Sequence, residues 1–298
     1  MTWHDGYIAV DWGTTNRRAW RVGPDGVISA SFEDDLGLLA VPEGGFPAAA
    51  AAIRQRLGDD PMILAGMVGS DRGWREAPYF PCPVGAEALA AAIVWIEPGR
   101  TGIVPGVSQC GAAGTGADVM RGEEVQVFGA AAMGVTPPDG LVCHPGTHAK
   151  WIRLQAGRIA RFRTMMTGEL FNLLRTHSIL APQLRGPAAP DDSFSAGVAA
   201  AFAGGDVLSG LFGVRARYLL GESVGEPASF ASGLLIGSDV RAALAEDAAA
   251  PAREVVLIGR PDLCALYAAA LAMRGVATRR VDGAEAFLAG IRLIAEML

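Results

Sequence analysis

The spacing of apolar and polar positions marks two similar three-strand units. An apolar stretch at 7–10 leads into Asp11-Trp12-Gly13-Thr14-Thr15-Asn16-Arg17-Arg18-Ala19-Trp20, and a second, at 141–143, leads into His144-Pro145-Gly146-Thr147-His148-Ala149-Lys150-Trp151. Each reads as a strand, a Gly-Thr turn, a Trp-bearing strand, a glycine-containing turn (23–26; 155–157) and a third strand (27–32; 158–164). Between the two lie an alanine-rich helix at 48–57 and a buried strand that begins at 61 and opens into a glycine-rich loop by 70. Helical periodicity follows at 193–202, 207–220 and 226–245; then come a strand, a glycine bend and a helix over 254–267, a short strand at 278–281 and a last helix at 284–297.

A chain of 298 residues, 51% hydrophobic and carrying a repeated unit, predicts two lobes rather than one core. The first, 1–119, holds the first phosphate hairpin and a substrate loop. The second, 120–298, holds the second hairpin and an adenosine site, and its last helix is free to pack back on the first lobe. A net charge of −6 argues against nucleic acid or an anionic membrane as the main partner. Cys82, Cys110, Cys143 and Cys264 form no CxxC and are expected to be reduced thiols. The first residues carry no basic region and no apolar stretch, and the longest apolar run, 88–96, is too short to span a bilayer. The expectation is a cytoplasmic enzyme acting on a small molecule, with a homo-oligomer compatible with the composition.

The turns suggest which small molecule. Gly13 lacks a Cβ, so the Gly13-Thr14-Thr15-Asn16 bend brings backbone N–H groups and hydroxyls close to a ligand, an arrangement that favours phosphate. Asp11 ends the preceding strand, where its carboxylate suits Mg²⁺ directly or through water. His144 stands in its place in the second unit, so a single metal carboxylate is expected. Gly146, Thr147 and His148 are expected to form the second phosphate grip, with Lys150 or Arg18 neutralising phosphate charge. Cys143, His144 and His148 lack a fourth ligand and do not read as a zinc site.

Beyond Ser70, the loop Asp71-Arg72-Gly73-Trp74-Arg75-Glu76-Ala77-Pro78-Tyr79 is too long and too rich in aromatic and charged residues for a mere connection. Arg72 or Arg75 suits a substrate carboxylate, and Trp74 or Tyr79 a sugar chain; a solvated arginine pair would equally explain the former. Glu123 and Glu124 sit in the first turn of a helix just before the second unit. The helix dipole explains them as well as a proton-accepting role does. Thr167 is expected to cap the next helix, with Glu169 near its start. Gly259, with Arg260 and Leu263 on the helix beyond, suits an adenine or ribose.

The paired hairpins and the glycine bend resemble the superfamily of sugar kinases, actin and the heat-shock ATPases, an α/β, two-lobe, actin-like (ribonuclease H-like) ATPase fold. More closely, Gly66-Met67-Val68-Gly69-Ser70, Met120-Arg121-Gly122-Glu123-Glu124, Pro145-Gly146-Thr147-His148, Met166-Thr167-Gly168-Glu169-Leu170 and Ser232-Gly233-Leu234-Leu235-Ile236-Gly237 resemble the 2-dehydro-3-deoxygalactonokinase family over nearly the whole chain. The resemblance implies transfer of the γ-phosphoryl group of ATP, with Mg²⁺, to the terminal hydroxyl of 2-dehydro-3-deoxy-D-galactonate. It also implies a base at the glycine-acid pair that opens the helix, with Glu123 first and Glu124 second. His144, Asp71-Arg72 and Arg75-Glu76 depart from the family pattern, which bears on fine specificity. A nucleotide switch or a hydrolase of the same superfamily is the alternative.

Overall fold

A computed structural model of the chain describes residues 3–110, 116–222, 225–246 and 252–298. These divide into two compact units: unit 1 comprises Met1–Asp139, Leu154–Arg161 and Gly283–Leu298, and unit 2 comprises Gly140–Arg153 and Phe162–Asp282.

Unit 1 begins with β1 (Tyr7–Trp12), β2 (Arg17–Val22) and β3 (Ile28–Asp34), followed by α1 (Phe46–Leu57) and β4 (Met62–Gly66). Next come β5 (Tyr79–Pro81), α2 (Ala86–Ala91), β6 (Val94–Glu97), β7 (Thr101–Ile103), β8 (Gly106–Gln109), β9 (Asp118–Met120) and α3 (Glu123–Ala132). Its main sheet has the order β3-β2-β1-β4-β7-β6, antiparallel from β3 to β1 and parallel from β1 through β4 to β7. β1 and β4 lie at the centre and are buried almost throughout, so they read as unbroken apolar runs rather than alternating ones. α1 has Pro47 in its first turn and buries Phe46, Ala50, Ile53 and Leu57, one helical face, against this sheet's core.

Unit 2 contains β10 (Leu141–His144), most of β11 (Ala149–Gln155), part of β12 (Arg158–Met165), α4 (Thr167–His177), α5 (Asp192–Phe202), α6 (Val207–Leu219), α7 (Pro227–Glu246), β13 (Glu254–Gly259), α8 (Pro261–Ala272) and β14 (Ala277–Asp282). Its sheet order, β12-β11-β10-β13-β14, repeats the arrangement of unit 1, with β10 in the place of β1 and β13 in the place of β4. The duplication inferred from the Gly-Thr turns is therefore one of topology.

Glycines let the helices of each unit come close. In unit 1 a Cβ on Gly129 of α3 would lie 1.8 Å from the Ala286 carbonyl oxygen of α9 (Gly283–Ala295), and one on Gly290 would lie 2.0 Å from that of Val125. In unit 2 a Cβ on Gly197 of α5 would lie 2.2 Å from the Phe230 carbonyl oxygen of α7. Two features were not expected: the small β5-β8-β9 sheet, and the division of the apolar run 88–96 between α2 and β6. Strands of three or four residues are too short to display a period in sequence. Among the described residues no helix is long and apolar enough to cross a membrane.

Candidate active site

Each unit carries its candidate residues at the carboxyl ends of its parallel strands, where α/β sheets commonly bind ligands. In unit 1, β1 ends at Trp12 and turns through Gly13, whose N–H donates to the Asn16 carbonyl at 2.9 Å. The carbonyls of Gly13, Thr14 and Thr15 accept from the N–H groups of Leu38, Leu39 and Gly37 at 2.9, 3.1 and 3.2 Å. A trans peptide points its N–H opposite its carbonyl. The N–H groups of Thr14, Thr15 and Asn16 therefore face away from that segment, on an exposed turn, as an anion nest requires. Gly37 makes this possible, since a Cβ there would lie 2.3 Å from the Thr15 carbonyl carbon.

Asp11 faces Arg18 across the β1/β2 pair, its carboxylate 2.6 Å from the guanidinium. One half-buried carboxylate beside a phosphate turn is the donor set Mg²⁺ uses when phosphates and water complete its shell, so the residues fit the ion.

The end of β4 brings the start of α3 to the same edge. Gly66 pairs with Trp12, and both Gly66 and Gly122 have positive φ, 93° and 105°. A Cβ on Gly122 would lie 3.2 Å from the Gly66 Cα, so two bare backbones touch. Glu123 follows, half-buried, and accepts from the Arg121 N–H at 3.1 Å. Glu124 is fully buried, with both carboxyl oxygens 2.8 Å from the Gly122 nitrogen. Burial pushes its pKa up to about 8; the neighbouring Glu123 adds to this, while the backbone N–H groups and Arg121 act against it.

The substrate loop divides. Arg72 and Trp74 line a cavity of about 590 Å³ with Leu39, Glu43, Phe46 and Asp71, beside the segment that bonds to the Gly13 turn. Trp74 stacks on Phe46 at 6.4 Å between ring centroids. Ser70 is buried, and among the described residues its hydroxyl has no hydrogen-bond partner. Arg75 instead donates to the Trp95 carbonyl at 2.6 Å, and Tyr79 lies under the Arg121 guanidinium at 4.2 Å.

In unit 2 the Gly146-Thr147 turn packs against the start of α4, where the Glu169 N–H donates to the Thr147 carbonyl at 2.9 Å. His148 pairs with Glu169 at 2.5 Å, and the buried Lys150 donates to the His148 carbonyl at 3.4 Å. Gly259, at φ 140°, packs against Pro145 and ends β13. Arg260 caps the following helix by position and chelates Asp262 at 2.6 and 3.1 Å, holding that carboxyl below its ordinary range. A cavity of about 420 Å³ joins these parts, with Gly146, Thr147, Arg260 and Leu263 all in its wall. That volume lies within the usual range for small-molecule pockets.

The family model described as 2-keto-3-deoxy-galactonokinase matches residues 11–294. The chain belongs to this family. It is 38% identical over 293 residues to the 2-dehydro-3-deoxygalactonokinase of Escherichia coli strain K12, covering 97% of each protein. A crystal structure from Sinorhizobium meliloti, described with the same activity, superposes with a TM-score of 0.90 at 34% identity, over 97% of this chain and 98% of that one. The Acidaminococcus fermentans (R)-2-hydroxyglutaryl-CoA dehydratase component A superposes with a TM-score of 0.51 at 11% identity over 98% of both chains, which shows the shared actin-like fold.

In this 2-keto-3-deoxy-galactonokinase family chain, the sequence motifs did not mark one polar centre and misplaced a cap. Thr167 is the first residue of α4, with Met166 in the cap position, and its hydroxyl donates to Asp239 at 2.7 Å rather than capping the helix. Asp239 lies buried on α7 and also accepts from Trp151 at 2.6 Å and Tyr267 at 2.5 Å. Burial pushes its carboxyl up, and these hydrogen bonds pull it down. The signal was available: Asp239 is an acid within a helix otherwise dominated by small and apolar residues.

Proposed function

We propose that the chain is an ATP-dependent kinase that transfers the γ-phosphoryl group to the 6-hydroxyl of 2-dehydro-3-deoxy-D-galactonate, giving the 6-phospho acid in galactonate breakdown. Family membership along nearly the whole chain carries the substrate class. The repeated Gly-Thr turn, each copy beside a cavity in its own unit, supports the chemistry.

Each residue group then has a task. Thr14, Thr15 and Asn16 offer N–H groups to phosphate oxygens, as does the Gly146-Thr147-His148 turn with Lys150 as counter-charge. Adenosine occupies the unit 2 cavity against Arg260 and Leu263, beside the Gly259 bend. Asp11 holds Mg²⁺, which when bound neutralises phosphate charge. The sugar acid enters the unit 1 cavity, where Arg72 meets its carboxylate and Trp74 its carbon chain, with Ser70 beneath the loop.

Glu123 is the base. It takes the proton of the attacking hydroxyl as the bond to phosphorus forms and the bond to the ADP oxygen breaks. Glu124, the second choice from sequence, is buried and holds its own proton near neutral pH, so it stays behind the reacting groups as the support of Gly122. Arg75 and Tyr79 shape the loop through Trp95 and Arg121. The reaction takes place in the cytoplasm. The test is coupled ADP release with the galactonate compound, its gluconate epimer and no acceptor: release only with a sugar acid supports the kinase, and acceptor-independent release refutes it.

A further inference from the structure

Asp239 accepts from three donors on three different elements of unit 2. Trp151 sits on β11, the strand that follows the Gly146 turn; Thr167 opens α4, which packs on that turn; Tyr267 lies on α8, which follows the Gly259 bend. Thr167 and Tyr267 also line the 420 Å³ cavity, while Asp239 is withdrawn behind them.

We infer that Asp239 is a positioning residue for nucleotide binding, acting through Thr167 and Tyr267. The inference rests on the reading of this cavity as the nucleotide pocket. Each donor has committed its only polar hydrogen to the carboxylate. The Thr167 oxygen therefore presents only lone pairs toward the cavity, a surface suited to a ribose hydroxyl. The Tyr267 ring is held at a fixed angle, as a wall against a base requires. Because the same carboxylate links β11, the start of α4 and the middle of α8, it sets the strand after the phosphate turn and both helices in one register before nucleotide arrives. Pre-organisation of this kind lowers the ordering cost of binding.

An amide at 239 keeps the shape but turns an N–H₂ group toward donors, leaving at least one of them unpaired in a buried place. Calorimetric titration of the full chain with Mg·ADP, beside kinetics in both substrates, reads the effect. Asp239→Asn raises Kd for Mg·ADP on the order of tenfold and Tyr267→Phe by about threefold, with the KM for sugar acid unchanged. Should Asp239→Asn fail to fold, Tyr267→Phe carries the test. A purely structural Asp239 would lower the melting temperature or the binding-competent fraction and leave Kd as it was, which overturns the proposal. Ala188→Trp fills the same cavity and separates the two levels of the argument. If it abolishes binding while the other variants stay within twofold of the parent, the pocket reading stands and Asp239 does not position it. If it leaves Mg·ADP binding intact, the pocket reading fails and takes the proposal with it.

Discussion

Replacing Glu124 with Gln tests how the two adjacent acids at the start of α3 divide their roles. The wild-type carboxyl has no exposed surface and a pKa near 8, chiefly because burial disfavours its charge. Between its ordinary value of 4.5 and about 8 the folded chain keeps a proton that the unfolded chain has released. Folding therefore loses stability as pH rises through that window, at up to about 1.4 kcal/mol per pH unit for this one group. From pH 5 to pH 8 the ceiling is about 4 kcal/mol, and structural relaxation makes the observed figure smaller. Gln resembles the protonated acid and does not titrate. Groups that titrate alike in both proteins cancel in the difference. Urea unfolding of the parent and Glu124→Gln at intervals from pH 5 to pH 9 should show similar stability at the acid end and a growing advantage for Gln toward the alkaline end. At pH 7 the variant should turn over within a few-fold of the parent. A stability difference that is flat across this range, or a collapse of turnover at pH 7, would refute the assignment of Glu124 as a neutral, supporting acid.

Glu123→Gln should lower kcat by a factor of roughly 10² to 10⁴ while changing Kd for Mg·ADP little, as judged by stopped-flow and titration. Asp11→Asn should cut kcat/KM for Mg·ATP by about a hundredfold, and retained activity would remove the metal role. Arg72→Ala should raise the sugar-acid KM on the order of tenfold, with the ATP KM steady, since it removes one charged contact. Gly129→Val should destabilise by about 3 kcal/mol in urea, because the new Cβ meets the Ala286 carbonyl with no room to yield.

The sequence made the hairpin duplication plain because in each copy an apolar strand and a Trp-bearing strand flank a turn of restricted chemistry, and the same residues form β1, β2, β10 and β11. Long helices such as α5 and α7 were equally legible from their periodicity. The β5-β8-β9 sheet was not, since β5 pairs with β8 across a long stretch of chain and its strands are too short to show a period. At the candidate site, Arg72 and Trp74 meet in one cavity, whereas the position of Arg75 depends on a carbonyl at Trp95 that no local pattern signals. The family resemblance ranked Glu123 ahead of Glu124, but no local pattern separates two adjacent acids by environment. Their difference arises from tertiary burial, which leaves Glu123 half-buried and Glu124 enclosed. Asp239 illustrates the same limit, because its three donors come from elements scattered along the chain.

The most direct test of the central claim is ADP release coupled to NADH oxidation, with Mg·ATP and either 2-dehydro-3-deoxy-D-galactonate, its gluconate epimer or no acceptor. The account predicts fast release with the galactonate compound, together with a product phosphorylated at the 6-hydroxyl. Release at the same rate without any sugar acid would contradict it.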